Sequence, residues 1–186
     1  MQFKSIQKIH EGKFITRYNL EYETASGKRK TYEMISRNKN ISSLKELQNS
    51  RVDAVVMILH DESGKQILLS REFRMATGEW VYNFPAGLID SGEDAASAAE
   101  RELREETGLT LTHIDEIWFE SYSAVGFSNE KNIVITGRAS GEIKPSDSEL
   151  EEIEAFWYTK AEIRALLKVA RFAARTQAYC ALWSKQ

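Results

Sequence analysis

The sequence predicts an α/β fold in which a mixed β-sheet lies between helices. Several strand-like segments precede one long helical segment, more strands follow, and the chain ends in a helical stretch, an order that does not match a regular βαβ series. The 186 residues include 42% hydrophobic and 28% charged residues, which suits one compact domain with a small appendage.

Composition and charge exclude several classes of protein. The chain has 25 Lys and Arg against 28 Asp and Glu, so its formal charge of −3 provides no basic surface for nucleic acid. A single cysteine, Cys180, allows no intrachain disulfide, and the three histidines show no ligand spacing. No run of ~18 apolar residues and no signal-type apolar core is present, so we expect a cytoplasmic protein without a membrane partner.

Residues 1–47 predict a small antiparallel β subdomain ahead of a main domain of residues 48–186. Two alternating, β-rich segments flank residues 25–27 and form a predicted hairpin, with a further short strand near residues 3–9. The polar stretch 37–50 is predicted to be a connection. Since the subdomain holds too little apolar surface to be stable alone, we expect it to pack on something, such as a second copy of the chain.

The main domain begins with an apolar run at residues 52–58, which predicts a buried strand. A long helix is predicted from about Asp94 to Thr107. Gly108 follows it, and glycine is the residue typical of the position just past a helix end. The other predicted elements are strands at 65–73, 80–84, 114–122, 132–138 and 153–159, a loop at 85–87, and a helical tail at 160–184.

Three glutamates of the predicted helix lie beside its apolar stripe and not opposite to it. At 3.6 residues per turn, Glu102 and Glu106 fall within the buried sector formed by Ala95, Ala96, Ala99 and Leu103, and Glu105 borders it. Like charges four residues apart cost roughly 0.2–0.5 kcal/mol. Glu105 and Glu106 also lie at the negative end of the helix dipole.

Helix stability therefore does not explain these carboxylates, whereas a hard divalent cation such as Mg²⁺ would favour them as ligands. A solvated charged helix is the commoner meaning of such a run. From spacing alone, both interpretations stay open.

Residues 87–109, GLIDSGEDAASAAERELREETGL, resemble the Nudix box. That pattern is a glycine, five residues, a glutamate, seven residues, and then R-E-U-x-E-E-x-G-U, where U is a bulky apolar residue. Gly87 and Glu93 match the first part, and the segment from Arg101 to Leu109 matches the rest. Every specified position agrees, which makes this signal far more specific than a short glycine motif.

The resemblance implies an α/β/α sandwich that hydrolyses nucleoside diphosphates linked to another moiety, with Mg²⁺ or Mn²⁺ as cofactor. It assigns Glu102 and Glu106 as metal ligands and Glu105 as a further ligand or a base. The carbonyl group of Ala86 commonly joins these ligands. The remaining box positions are structural, with Glu93 and Arg101 orienting helix and loop through an ion pair; these positions are Gly87, Glu93, Arg101 and Gly108.

Segments outside the box are similar to ADP-ribose pyrophosphatases and related nucleotide-sugar hydrolases: EGKF, TYEMISR, REFR, FPAGLID, GFSNE and ELEEIEAFWYT. This branch implies a homodimer that exchanges contacts through its N-terminal β subdomain. It also implies a nucleoside diphosphate sugar as substrate and a nucleoside monophosphate and a sugar phosphate as products. The implied substrate contacts are Tyr32, Glu33 and Arg37 for adenine, and Arg74 for the diphosphate or a ribose.

The attacking water in this branch is often aligned by a glutamate on a loop near the last strand. The candidates here are Glu151 and Glu152, with Glu130 as another candidate for site contacts. Solvated loop residues are the alternative meaning for each of them.

Three departures from the branch put ADP-ribose itself in doubt. Val125 stands where proline is usual, Asn83 where glutamate is frequent, and Glu72 where glutamine is usual. Two other functions therefore stay open: hydrolysis of nucleoside triphosphates or dinucleoside polyphosphates, and, less favoured, nucleotide-sugar sensing without turnover.

Overall fold

The structure is a computed structural model that describes residues 1–48, 51–148 and 150–186. It divides into two compact units. The first unit consists of Met1–Asp53 with Glu120–Asn132, and the second of Ala54–Phe119 with Ile133–Gln186.

The first unit is built on a three-stranded antiparallel sheet in the order β1-β2-β3. Tyr18, Leu20, Met34 and Ile41 form its small core, to which the hairpin contributes the first three and the segment after it contributes Ile41. The strands are β1 (Gln2–Glu11), β2 (Thr16–Glu23) and β3 (Arg29–Ser36).

A short helix, α1 (Leu44–Gln48), occupies part of the stretch predicted to be only a connection. That prediction is wrong at this point. Local polar contacts stabilise the turn: Glu46 accepts hydrogen bonds from the Ser42 N–H and hydroxyl, both at 2.7 Å. A five-residue helix that depends on side-chain hydrogen bonds shows no apolar periodicity in the sequence, so it could not be predicted from that periodicity.

A mixed sheet with the strand order β11-β5-β4-β10-β8 forms the centre of the second unit. In addition, β6 pairs with β5 and β7 pairs with β4. Lys131 and Asn132, which begin β10, belong to the first unit and pair there with β9. The strands are β4 (Ala54–His60), β5 (Gln66–Arg74), β6 (Glu79–Asn83), β7 (Ala86–Leu88), β8 (Thr110–Ile117), β9 (Ser121–Tyr122), β10 (Lys131–Ser140) and β11 (Ile153–Thr159).

Two local predictions in this part of the chain need correction. The predicted loop at 85–87 is largely β7, because Ala86 pairs with Val56 and the Met57 N–H donates to the Pro85 carbonyl at 2.9 Å. The predicted strand 114–122 is divided between β8 and β9. Tertiary pairing decides both cases, since a two- or three-residue strand carries no alternation to detect.

Helices cover both faces of this sheet, which confirms the predicted fold class. Val56 and Ile58 of β4 pack with Ile163 and Cys180 of the helical tail. Alternation turns the fully buried Met57 to the other face, where α2 (Ala95–Thr107) contacts β4.

The tail forms two helices, α3 (Lys160–Leu166) and α4 (Ala174–Trp183). No helix among the described residues is long and apolar enough to cross a membrane.

Candidate active site

The helix α2 ends at Gly108, as its sequence predicts, and begins with a side-chain cap. The Ser97 N–H donates to Asp94 Oδ1 at 2.8 Å at the N-terminus. At the other end Gly108 adopts a left-handed φ of 73°, which glycine tolerates without strain. The buried face differs from the prediction, because Ala98 is fully buried while Ala95 and Ala96 are only half-buried.

Arg101 connects this helix to the loop that precedes it. Its Nε and Nη2 atoms donate to the two carboxylate oxygens of Glu93 at 3.0 and 2.8 Å, and Nη2 also donates to the Leu88 carbonyl at 2.9 Å. Nη1 donates to Glu102 Oε1 at 2.8 Å and lies 3.3 Å from Glu105 Oε2. This fork geometry orients loop and helix together.

Glu106 is the most unusual carboxylate of the second unit. Its Oε2 atom is buried and has no hydrogen-bond partner among the described residues. Burial, together with the charges of Glu102, Glu72 and Glu151, raises the pKa of Glu106 to about 8, against a hydrogen bond from the Ala86 backbone. An unpaired buried carboxylate is costly, so this group is suited to a positively charged ligand.

Glu102 lies directly against the backbone at Gly87. A Cβ atom at Gly87 would be 1.8 Å from the Glu102 carboxyl carbon, which is far inside any permitted contact. Burial raises the pKa of Glu102, while its ion pair with Arg101 opposes the rise. The glycine that opens the box thus makes room for a carboxylate of the helix.

Glu72 and Glu151 add negative charge to this carboxylate group. Glu151 is exposed, yet its charge contributes to raising the pKa of Glu72, Glu102 and Glu106. The Glu152 carbonyl instead accepts a hydrogen bond from the Phe73 N–H at 3.1 Å. Of these two candidates, Glu151 is the one whose charge acts on the box carboxylates.

The sequence identifies Glu72 as a departure but assigns it no role, whereas in the structure its charge acts on Glu106. Arg74, its ion-pair partner, lies 2.8 Å from Glu72 Oε2. In the sequence, the i, i+2 spacing of Glu72 and Arg74 on one strand indicates that both side chains lie on the same face of the sheet.

Two features of these residues suit a divalent cation. One is the unpaired oxygen of Glu106, and the other is a donor set that consists only of oxygen atoms. Within residues 1–48, 51–148 and 150–186, no three acidic, histidine or cysteine side chains are already arranged around one point as ligands. Glu102 and Glu105 are both directed to Arg101. Cation binding would therefore require these carboxylates to reorient.

The first unit contains the other predicted site residues, and it pairs two of them. Arg37 Nε donates to Glu130 Oε2 at 2.8 Å, and the Ser123 hydroxyl donates to Glu130 Oε1 at 2.8 Å. Glu33 is exposed and lies 3.6 Å from Arg17. Since successive side chains of β3 point to opposite faces, Glu33 does not share the face of Tyr32.

Tyr32 lines a cavity of about 440 Å³ within the first unit. The Tyr32 hydroxyl donates to the Gly126 carbonyl. Val125, one of the three departures, is exposed and lines the same cavity, whose wall also includes Tyr22, Tyr122, Phe127, Met34 and Lys30. Its size and aromatic lining are typical of small-molecule sites.

Asn83, another departure, is buried, and its Oδ1 accepts a hydrogen bond from the Thr176 hydroxyl at 2.8 Å. Thr176 Oγ1 also accepts from the Phe84 N–H at 3.3 Å. Asn83 therefore connects β6 to α4.

A model of the NUDIX domain family matches residues 50–179, a span that includes the box and its carboxylates. The chain belongs to the Nudix hydrolase family. Nudix hydrolases generally use divalent metal ions, in agreement with the acidic helix.

Two curated relatives of this Nudix chain act as points of comparison. An ADP-sugar pyrophosphatase from Mus musculus is 31% identical over 159 residues, covering 78% of this chain and 68% of the relative. An ADP-ribose pyrophosphatase from Saccharomyces cerevisiae is 27% identical over 158 residues, covering 83% of this chain and 65% of the relative. The aligned part of this Nudix chain thus spans only about two thirds of each relative.

A solved structure shares the fold. The crystal structure of an ADP compounds hydrolase superposes with a TM-score of 0.75 and 21% sequence identity, covering all of this chain and 94% of the other. At this identity, the match establishes that the Nudix chain has the same architecture.

Proposed function

We propose that the chain hydrolyses the diphosphate bond of ADP-ribose or a related nucleoside diphosphate sugar, with Mg²⁺ or Mn²⁺ as cofactor. The products would be a nucleoside monophosphate and a sugar phosphate. The observation that carries this proposal is the buried, unpartnered oxygen of Glu106 within a complete Nudix box. The names of the mouse and yeast relatives support the substrate class.

Glu102, Glu105 and Glu106 would hold the cation, together with the Ala86 carbonyl. A divalent cation bound there supplies charge neutralisation of the diphosphate and a more acidic water. On cation binding, Arg101 would release Glu102 and Glu105 and would keep its two hydrogen bonds to Glu93.

Glu151 is the proposed base that orients the attacking water, ahead of Glu152 and Glu130. Its charge acts on Glu102 and Glu106, which supports a position beside the reaction. Arg74 would bind the diphosphate or a ribose, since positioning and charge stabilisation supply most of the rate in phosphoryl transfer.

Tyr32 would contact the adenine in the cavity that Val125 also lines. Arg37, which pairs with Glu130, would be a further adenine contact. An aromatic face that stacks on a base contributes about 1–3 kcal/mol. Glu33 has less support as an adenine contact, because its side chain points to the face of β3 opposite to that of Tyr32.

The test is a substrate panel read by product mass, in Mg²⁺ and in Mn²⁺, with the Glu106→Gln variant beside the wild type. We expect AMP and ribose phosphate from ADP-ribose, and a loss of at least a hundredfold in kcat/KM for Glu106→Gln. Glu100→Gln is the matched control, because Glu100 lies on the same helix and is exposed. Full activity of Glu106→Gln would contradict the assignment, and release of pyrophosphate from triphosphates alone would favour the alternative substrate class.

A homodimer formed through the first unit is a second part of this proposal. Phe14 and Ile15, between β1 and β2, are 69% and 48% exposed. Light scattering after size-exclusion chromatography measures the mass directly, and a monomer at micromolar concentration would contradict it.

A further inference from the structure

Glu72 is a half-buried carboxylate that lies outside the helix carrying the box. Its side chain is 15% exposed, and Arg74 is its ion-pair partner at 2.8 Å. Along β5, Leu69 points to the face that packs with Ile163 of α3, so alternation turns Glu72 to the opposite face, where α2 packs. Both residues of this ion pair therefore lie on the side of the sheet that carries the box carboxylates.

Three carboxylates interact on this side of the sheet. Glu72 carries a charge that acts on Glu106, and Glu151 carries one that acts on both of them. Arg74 offsets one negative charge, while Arg101 is engaged by the carboxylates of Glu93 and Glu102. The group thus holds more negative than positive charge.

The buried Oε2 atom of Glu106 is an independent observation that points to a ligand here. It has no hydrogen-bond partner among the described residues, so neither arginine satisfies it. A buried carboxylate oxygen without a donor, beside further carboxylates, suits a small cation better than a neutral ligand.

We propose that Glu72 is a further acidic side chain of the cation site, supplied by β5, and that its charge raises the affinity of the site for divalent cations. This inference rests on the proposed function, because it assumes a cation at Glu106. The related branch usually has glutamine at this position. An amide offers a carbonyl oxygen but no charge, so this chain has a more acidic site than the resemblance alone implies.

The experiment measures Mn²⁺ binding to the full chain at pH 8.5 without nucleotide, by calorimetry and by the electron paramagnetic resonance signal of free Mn²⁺. We expect Glu72→Gln to raise the Kd for Mn²⁺ by about 10- to 100-fold, the range for outer-shell changes at metal sites. Glu154→Gln is the matched control. Glu154 neighbours Ile153, the cross-strand partner of Glu72, and pairs with Arg71 at 3.3 Å. Its Kd should stay within twofold of wild type.

A second measurement follows thermal unfolding with EDTA and with Mg²⁺. Without metal, Glu72→Gln should unfold at a higher temperature than wild type because like-charge repulsion is removed, and it should gain less from Mg²⁺. Arg74→Gln removes the opposing charge and should tighten Mn²⁺ binding, which tests the inference even if Glu72→Gln does not fold.

The outcomes separate the inference from the function. Wild-type Mn²⁺ affinity in Glu72→Gln, or weaker binding in Arg74→Gln, would overturn the role of Glu72 and leave the proposed hydrolysis standing. Absence of Mn²⁺ binding by the wild type would overturn both.

Discussion

Glu106 makes the stability of the metal-free protein depend on pH in a direction unusual for a carboxylate. Burial and neighbouring negative charges raise its pKa from 4.5 to about 8. The folded protein therefore binds a proton that the unfolded chain has already lost. This stabilisation is present below about pH 4.5, decreases as pH rises, and is lost above about pH 8.

The magnitude follows from that window. One pKa unit corresponds to about 1.4 kcal/mol, so a shift of this size represents about 5 kcal/mol across the window. Glu72 and Glu102 act in the same direction, since their pKa values are also raised. His60 has the opposite effect on stability at pH values below its usual pKa, because burial lowers the pKa of its side chain. Comparing wild type with Glu106→Gln at pH 7 and pH 8.5 isolates the Glu106 contribution.

The assay is urea unfolding followed by circular dichroism in EDTA. We expect wild type to lose about 1–2 kcal/mol of unfolding free energy between these two pH values, and Glu106→Gln to lose less than half as much. Mg²⁺ should restore the wild type most strongly at pH 8.5, where Glu106 is ionised. The Glu100→Gln control should follow the wild type. Equal pH slopes for wild type and Glu106→Gln would refute the reasoning.

Three further predictions concern the box and its helix. Gly87→Ala should place a methyl group on the Glu102 carboxylate and reduce kcat by at least tenfold while circular dichroism stays unchanged; full activity would contradict the close approach. Arg101→Lys should lose the bidentate contact to Glu93 and cost about 1–3 kcal/mol in urea unfolding, because a charged hydrogen-bonding fork is broken. Asp94→Ala should cost about 1 kcal/mol through loss of the helix cap, with Asp94→Asn as the variant that retains it; equal stability of the two variants would contradict the cap assignment.

The box helix could be predicted almost completely because its information is local. Helical periodicity and a glycine past the end lie within one short segment, and the structure has α2 at Ala95–Thr107 with Gly108 at its end. The predicted strand at residues 153–159 matches β11 for the same reason, because the sequence pattern changes locally on either side of this segment.

The sequence by itself determined the fold class, the family and the positions of the acidic residues, because periodicity and a fixed-spacing motif are properties of neighbouring residues. Only the tertiary structure decided which of these groups interact. Alternation along β5 places Glu72 on the side of the sheet facing α2, and the charge of Glu151 acts on Glu106. Packing of α4 against the sheet buries Asn83 beside Thr176. Burial and cross-strand register join residues that are far apart in the chain, and no local pattern records them.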